Sequence, residues 1–411
     1  MSSTTITLTR KFSLYEAILL RIFDKMPYGR LQLELPDGRK MFFGNGEGQR
    51  ASVRVNNNIF FSKCVLYGDV GFAEAYMDGD WNTDSIADVV SWFILNIDQC
   101  SVLTGKGLRK YVSNMLRFGN KLYHTTRKNT IGGSRRNISE HYDLGNDFYS
   151  LFLDKTMTYS SGIFRTPGTS LEEAQVEKYD RLCRTLDLRS SDHLLEIGSG
   201  WGGMAVHAAK NYGCKVTTVT ISEEQFKYSR ERIHDAGLEH LIDIRLEDYR
   251  LITGSFDKIV SIEMLEAVGH EYIPGYFAKC NQLLKPNGAM AIQVITSQDK
   301  RYQEFRTSVD FIQKHIFPGS QTPSVGYIQQ CVNRETDWNL HDVKDLGLDY
   351  ARTLRLWFDA FNEKLTEVKK LGMNETFIRK WNYYLQYCEA AFSTTHISVK
   401  QLVYTRPYTR F

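Results

Sequence analysis

The sequence lacks closely spaced cysteines. Its seven cysteines are scattered along 411 residues, and no two of them form a CxxC pair. This spacing suggests neither a zinc site nor a disulfide framework. We therefore expect no metal centre, reduced thiols and a cytoplasmic location.

A long hydrophobic run is also missing. The most apolar stretch, residues 86–97, contains Asp88 and Asn96 and is shorter than the roughly 20 residues that a membrane-spanning helix needs. The N-terminus does not have the order of a signal peptide, because Arg10 and Lys11 come late and Glu16 interrupts the apolar residues. We expect any membrane contact to be peripheral.

Proline is scarce, and neither sign of charge is in large excess. The chain has 8 prolines, 42% hydrophobic and 24% charged residues, and its 30 glycines follow no repeat. These values exclude disordered, collagen-like and solenoid chains. The formal net charge of +3 is too small for a dedicated nucleic-acid-binding protein unless the positive charge is concentrated in one segment.

Positive charge is indeed concentrated in residues 101–139, which contain nine Lys and Arg residues and no Asp or Glu. Apolar residues lie between the basic ones at helical spacing, which is typical of an amphipathic linker on an anionic lipid surface. Two alternatives stay open at this point. The segment is a solvated linker helix that binds nothing, or it contacts nucleic acid, for which it has no recognised reading motif.

The flanking segments predict two domains. Residues 1–100 mix an amphipathic helix with alternating strands in GRLQLELPDGRKMFFG and ASVRVNNNIFFSKCVLYG, which indicates a small α+β domain. In residues 140–411, helices separate the buried strands HLLEI, KVTTVTI, IDIRL, FDKIVSIEM and GAMAIQVI. This alternation predicts a doubly wound α/β sheet with a helical cover, and VKQLVYTRP predicts a final edge strand.

The segment LLEIGSGWGG (194–203) places Glu196 at a strand end and glycines before a helix, so that a ligand can approach the backbone closely. Such a loop suits a dinucleotide-binding oxidoreductase or an S-adenosylmethionine (SAM) methyltransferase, and Glu196 could also simply cap another loop. Glu223 lies slightly past the position of a ribose-binding acid, which weakens the dinucleotide interpretation. A carboxylate at Glu196 suits the cationic amino-acid part of SAM.

Further motifs follow in order along nearly the whole chain: GDVGFAEAYMDGDW (68–81), HYDLGNDFYSLFLDKTMTYSSGIF (141–164), VTISEEQ (219–225), VSIEMLEAVG (260–269), DFIQKHIFPGS (310–320) and DYARTLRLW (349–357). With these motifs the sequence resembles the cyclopropane-fatty-acid-phospholipid synthase family. The resemblance implies a Rossmann-like class I methyltransferase sheet with an N-terminal lipid-associating domain. It also implies a homodimer that works at the inner face of the membrane without nucleic acid.

The reaction that the resemblance implies adds a methylene group from SAM across a cis double bond of a phospholipid acyl chain, through a carbocation. Alternatives are a methylene-branched or methyl-branched product, a catalytically silent lipid-binding relative, and a small-molecule methyltransferase. Aromatic side chains can stabilise the cation, and the C-terminal half offers Phe305, Phe311, Phe317, Trp357, Phe358, Phe361, Trp381, Tyr383 and Tyr384. The sequence does not select those that face a pocket.

The same motifs imply the residues that bind SAM: Tyr159, Ser160, Glu196, Gly198, Gly200, Thr220, Gln225, Glu247 and Asp248. His141 and Asp143 lie in a segment that forms a short lid over SAM in the family. A purely structural role for both residues is the alternative that stays open.

In the resembled family a bound bicarbonate ion removes the proton. This chain matches its expected ligands at Glu266, Tyr350 and the backbone of Ile295. Ser161 stands where the family has Cys, and Gln293 stands where better-known bacterial members have His. Neither replacement can carry positive charge, so an anion would be held less firmly. Dependence on bicarbonate is therefore open, and slow deprotonation would favour the branched products.

Overall fold

The computed structural model describes residues 13–97 and 144–409. These residues form two compact units, residues 13–97 with 375–383 and residues 144–374 with 384–409. The predicted boundaries at 100 and 140, the basic segment 101–139, and His141 and Asp143 lie outside the described residues. Those predictions therefore stay predictions.

The first unit is a small α+β fold. Its strands β1 (Arg30–Glu34), β2 (Lys40–Phe43), β3 (Arg50–Val55) and β4 (Trp81–Asn82) form a sheet in the order β2-β1-β3-β4. The helices of residues 13–97 are α1 (Leu14–Phe23), α2 (Ile59–Met77) and α3 (Ile86–Asn96). Strand β1 is antiparallel to β2 and parallel to β3. It buries Leu31 and Leu33 on one face, which is the alternation seen in the sequence.

The segment that follows β3 is helix α2, and the strand predicted for IFFSKCVLYG is wrong. Phe60, Phe61 and Cys64 are all buried, and their spacing of three and four residues places them on one face of a helix. A short apolar run fits a buried strand and a buried helix equally well, so its pattern alone could not decide.

Arg379 anchors residues 375–383 within the first unit. Its guanidinium donates hydrogen bonds to the carbonyl oxygens of Tyr76 (2.5 Å) and Trp81 (2.9 Å) and to Asn82 Oδ1 (2.9 Å). The guanidinium carbon also lies 3.9 Å from the centre of the Tyr76 ring. These contacts use the planar, forked geometry of arginine, which a lysine ammonium does not reproduce.

We expect Arg379→Lys to lower the free energy of unfolding of the first unit by about 1–3 kcal/mol, because backbone acceptors lose their partners. Urea denaturation of the full chain measures this change. The control is Arg21→Lys on the exposed face of α1, which should stay within about 0.5 kcal/mol of the wild type. Equal effects of the two substitutions would contradict the anchoring role.

The second unit contains a seven-stranded sheet in the order β10-β11-β9-β8-β5-β6-β7. The strands are β5 (His193–Ile197), β6 (Lys215–Thr220), β7 (Ile242–Leu246), β8 (Phe256–Ile262), β9 (Leu284–Ser297), β10 (Asn339–Asp345) and β11 (Ile397–Thr405). Strands β5 to β9 pair in parallel, and β11 is antiparallel to both of its neighbours. The doubly wound sheet predicted from the sequence is therefore confirmed.

Eleven α-helices begin in the described residues after 144. They are α4 (Asn146–Ser150), α5 (Leu171–Thr185), α6 (Gly203–Tyr212), α7 (Glu223–Asp235), α8 (Ile273–Leu283), α9 (Tyr302–Thr307), α10 (Phe311–His315), α11 (Val325–Glu335), α12 (Gly347–Glu363), α13 (Leu365–Lys370) and α14 (Glu375–Ser393). They cover a sheet whose central strands are buried on both faces. One buried cluster includes Ile259, Phe277 and Ile328, and a second includes Leu182 and Val216. This burial explains the nearly continuous apolar runs of the parallel strands.

The last strand of the sequence is not at an edge, contrary to the prediction. Strand β11 lies between β9 and β10, and β10 forms the edge. Most residues of β10 (NLHDVKD) are exposed, so its sequence lacks the apolar signal from which strands are predicted.

No helix within residues 13–97 and 144–409 has both the length and the apolar character needed to cross a membrane.

Candidate active site

The glycine-rich loop between β5 and α6 brings the backbone close to neighbouring strands. Gly198 has φ +95° and lines a cavity, and a Cβ atom at this position would lie 3.2 Å from Met264 Cγ. The N–H groups of Gly198 and Ser199 both donate to the carbonyl oxygen of Val219. Gly200 also has a positive φ, of +50°. Glycine is needed at Gly198 because the backbone there is left-handed and packs closely against Met264.

Two buried ionisable side chains, Glu196 and Lys178, influence each other electrostatically near this loop. Glu196 accepts a hydrogen bond from Thr218 Oγ1 (2.6 Å), and Lys178 Nζ donates to Ser160 Oγ (2.6 Å). Burial raises the pKa of Glu196 to about 8, against the hydrogen bond from Thr218 and the charge of Lys178. Burial also lowers the pKa of Lys178, against the charges of Glu263, Asp154 and Glu196. Burial therefore disfavours the charged form of both side chains.

One cavity of about 320 Å³ lies beside these residues in the second unit. Six of the predicted SAM-binding residues line it: Tyr159, Gly198, Thr220, Gln225, Glu247 and Asp248. The hydroxyl of Thr220 donates to Gln225 Oε1 (2.9 Å), and the carboxylate of Asp248 is bound by the guanidinium of Arg250. The other three, Ser160, Glu196 and Gly200, do not line the cavity.

The same cavity has an apolar, aromatic part. Of the aromatic residues singled out in the sequence, Phe305, Phe317 and Tyr384 line it. The hydroxyl groups of Tyr159 and Tyr384 are 2.8 Å apart, and the Phe317 ring centre lies 6.3 Å and 6.1 Å from those of Tyr159 and Tyr384. Trp357 and Phe361 are fully buried in the core. Trp381 and Tyr383 belong to the first unit.

Glu266 lines the cavity and is paired with the backbone of Ile295, whose N–H donates to Glu266 Oε1 (2.5 Å). The buried Oε2 atom has no hydrogen-bond partner among the described residues. Burial, reinforced by the nearby charge of Glu263, raises the pKa of Glu266 to about 8. The group is therefore largely protonated at neutral pH in the ligand-free protein.

The other three residues expected around bicarbonate converge instead on Glu263. Its Oε1 atom accepts from the backbone N–H of Ser161 (3.0 Å) and from Gln293 Nε2 (2.7 Å), and its Oε2 atom accepts from the hydroxyl of Tyr350 (2.9 Å). The hydroxyl of Ser161 donates to the carbonyl oxygen of Gly162 and does not contact the carboxylate. Glu263 was not predicted as a site residue, although it is a second acid in IEMLE, three residues before Glu266.

Comparison with known proteins identifies the family. The sequence model for the family described as mycolic acid cyclopropane synthetase matches residues 130–402. The chain belongs to this family. It is 38% identical over 346 residues to tuberculostearic acid methyltransferase UfaA1 of Mycobacterium tuberculosis, covering 82% of this chain and 78% of that protein. It is 35% identical over 360 residues to cyclopropane-fatty-acyl-phospholipid synthase of Escherichia coli K12, covering 87% and 88%.

Solved structures agree with this assignment. Mycolic acid cyclopropane synthase CmaA1, in complex with SAH and CTAB, superposes with a TM-score of 0.62 at 29% identity, covering 66% of this chain and 98% of that chain. The resemblance, the fold class and the cofactor predicted from the sequence are thereby confirmed. The chain is a SAM-dependent methyltransferase of a family that modifies lipid acyl chains. The left-handed backbone of Gly198, which lines the cavity, leaves room for a ligand close to the loop.

The raised pKa of Glu266 predicts how stability depends on pH. The folded state keeps the proton up to about pH 8, whereas the unfolded chain loses it above about pH 4.5. Folded protein therefore binds more protons between these values, and its stability falls as pH rises, by at most about 1.4 kcal/mol per pH unit for this group. Glu196 contributes in the same direction.

We expect Glu266→Gln to make this slope less steep, by at most about 1.4 kcal/mol per pH unit, in thermal unfolding of the protein between acidic and mildly alkaline pH. Glutamine keeps an acceptor for the N–H of Ile295 and removes the ionisation. Glu231→Gln, at an exposed position of α7, is the control and should leave the slope unchanged. A slope that is identical in Glu266→Gln and in the wild type would refute the burial argument.

Proposed function

We propose that the chain adds a methylene group to a cis double bond of an unsaturated phospholipid acyl chain and so forms a cyclopropane ring. The observation that carries this proposal is that one cavity is lined by the glycine loop, by the carboxylates Glu263 and Glu266, and by aromatic and apolar side chains. Such a cavity accommodates a polar cofactor and an acyl chain side by side, away from water.

When bound, SAM supplies an electrophilic methyl group, which the π electrons of the alkene take as the carbon–sulfur bond breaks. A cation then remains on the neighbouring carbon of the acyl chain. The aromatic rings of Tyr159, Phe317 and Tyr384, which line the cavity, would stabilise this cation through their electron-rich faces. Gly198, Thr220 and Gln225, which line the cavity, would hold the cofactor, with Asp248 as an acidic partner.

A second candidate product is a methylene-branched or methyl-branched chain. It would arise if a hydride shift preceded the loss of the proton from another carbon. The observation that favours it is the absence of a cationic side chain beside Glu263 at the Gln293 position, where an amide donates instead. The similarity to tuberculostearic acid methyltransferase UfaA1 also supports a methyltransferase of this type.

The test is to incubate the full chain with SAM and vesicles of a phospholipid with one cis double bond per acyl chain. Released fatty acids are then analysed by mass spectrometry and proton NMR. Upfield ring protons would support the cyclopropane product, and an olefinic methylene or a branch methyl would replace it by the second candidate. No added carbon despite measurable SAM binding would exclude this lipid as the substrate.

We further propose that the chain docks peripherally on an anionic lipid surface through residues 101–139 and acts as a homodimer. The support for docking is the charge of that segment, since each basic residue near an anionic surface contributes about 1 kcal/mol. We expect the protein to float with vesicles that contain an anionic phospholipid, and not to float with zwitterionic vesicles or at high salt.

Analytical ultracentrifugation tests the dimer, and a monomer at micromolar concentration would exclude it.

A further inference from the structure

We infer that Glu263 is the base of this enzyme, and that its carboxylate takes the place of the bicarbonate ion expected from the family resemblance. The inference rests on the proposed function, because a base is needed only if a proton is lost after carbon transfer. Glu263 itself lines the cavity, so its carboxylate can reach a bound acyl chain.

The hydrogen bonds support this assignment most directly. Ser161, Gln293 and Tyr350, which were expected to hold an anion, hold the Glu263 carboxylate with donor–acceptor distances of 2.7–3.0 Å. Gln293 is itself oriented, because Gln401 Nε2 donates to its Oε1 atom (2.9 Å) and leaves its Nε2 atom directed at Glu263. Donors that are fixed in this way favour a charged carboxylate over a neutral acid.

The backbone of Glu263 gives independent support. Glu263 follows the last residue of β8 with φ +49°, in the left-handed region that favours glycine. Its N–H donates to the carbonyl oxygen of Gln293 (2.7 Å), which fixes this conformation. A long acidic side chain at such a position is strained, and strain of this kind is characteristic of functional sites.

The surrounding charges suit a base. Burial raises the pKa of Glu263, while its hydrogen bonds and the buried Lys178 ammonium act in the opposite direction. The neighbouring Glu266 accepts a hydrogen bond from the N–H of Ile295, and the charge of Glu263 contributes to its raised pKa, so the two carboxyl groups lie close enough to interact. A carboxylate whose pKa is raised is a stronger proton acceptor than an exposed one.

The step balances with residues that are present. A Glu263 oxygen takes a proton from the newly transferred methyl group. The electron pair of the broken C–H bond forms the second C–C bond to the cationic carbon and closes the ring. The electron pair of the broken C–S bond stays on sulfur, and the proton on Glu263 is released to water after the product leaves.

Two substitutions at Glu263 separate a base from a structural residue. Glu263→Gly removes the carboxylate, relieves the strain of the positive φ and leaves an empty space where the carboxylate lay. Glu263→Gln keeps the shape of the side chain and fills that space. We expect both variants to bind SAM as the wild type does and to lose about 100-fold or more in turnover. Added bicarbonate should restore Glu263→Gly by at least about tenfold and should leave Glu263→Gln and the wild type unchanged.

A binding experiment without SAM or lipid provides a second measurement. Isotope-labelled bicarbonate should bind to ligand-free Glu263→Gly, detected by NMR, and should bind neither to the wild type nor to Glu263→Gln. The inference is overturned if removal of bicarbonate from the buffer inactivates the wild type, if Glu263→Gln keeps full turnover, or if Glu263→Gly binds no bicarbonate. If the wild type adds no carbon to any vesicle, the proposed function fails, and the binding experiment still decides whether Glu263 occupies an anion site.

Discussion

Replacing Gly198 with valine should lower the affinity for SAM by about 100-fold or more. The residue has φ +95°, and the first atom of any side chain would lie 3.2 Å from Met264 Cγ. A branched side chain at this position would therefore be strained and would also project beside the cavity that Gly198 lines. Isothermal titration of the variant with SAM measures the loss.

The matched control is Gly237→Val, in the turn after α7. Gly237 also has a positive φ, of +67°, but a Cβ atom there would meet nothing within 4 Å. Both variants should lose stability through backbone strain, by about 1–2 kcal/mol, and only Gly198→Val should lose the ligand. Normal SAM binding by Gly198→Val would show that the loop does not cradle the cofactor.

Replacing Lys178 with methionine should lower turnover at neutral pH by about tenfold to 100-fold. The positive charge of Lys178 lowers the pKa of both Glu263 and Glu196. Without that charge the pKa of Glu263 rises, less of it is ionised at neutral pH, and the acidic limb of the pH–rate profile moves to higher pH. Stability should fall, because the substitution removes the charge that offsets the buried carboxyl groups of Glu263 and Glu196 and takes the hydrogen-bond donor from Ser160 Oγ.

Lys258→Met is the matched control. Lys258 is also a buried lysine, whose pKa is lowered by burial, and the acidic residues near it are Asp192, Asp187 and Asp257. Neither lysine lines the cavity, but only Lys178 is influenced by the charges of Glu263 and Glu196. We expect this variant to keep the pH–rate profile of the wild type. A shifted profile in Lys258→Met, or an unshifted profile in Lys178→Met, would contradict the coupling between Lys178 and the cavity carboxylates.

Elements with a strong apolar pattern could be predicted from the sequence. Strands β5 to β9 were recognised because parallel strands buried on both faces read as continuous apolar runs. Strand β10 was missed because most of its residues are exposed, and its addition makes β11 an interior strand. Helix α2 was misassigned as a strand because a short buried run carries no clear period.

The site divides in a similar way. The glycine loop could be located from a contiguous motif, because its strand, turn and helix follow one another directly in the chain. The sequence contained a weaker indication that Lys178 is buried. Ala174 and Leu182 lie four residues to either side of it and share its buried helix face. For Glu263 the only signal in the sequence was that it is a second acid in IEMLE, and no spacing rule distinguishes it.

The sequence by itself determined the methyltransferase sheet, the family and the location of the glycine loop, because these depend on local periodicity and on contiguous motifs. Only the tertiary structure decided which carboxylate meets Ser161, Gln293 and Tyr350. These residues lie 102, 30 and 87 positions from Glu263 along the chain. Their convergence depends on strand register, on a left-handed backbone at Glu263 and on the packing of α12, and hydrogen bonds between such distant residues leave no periodic pattern in the sequence.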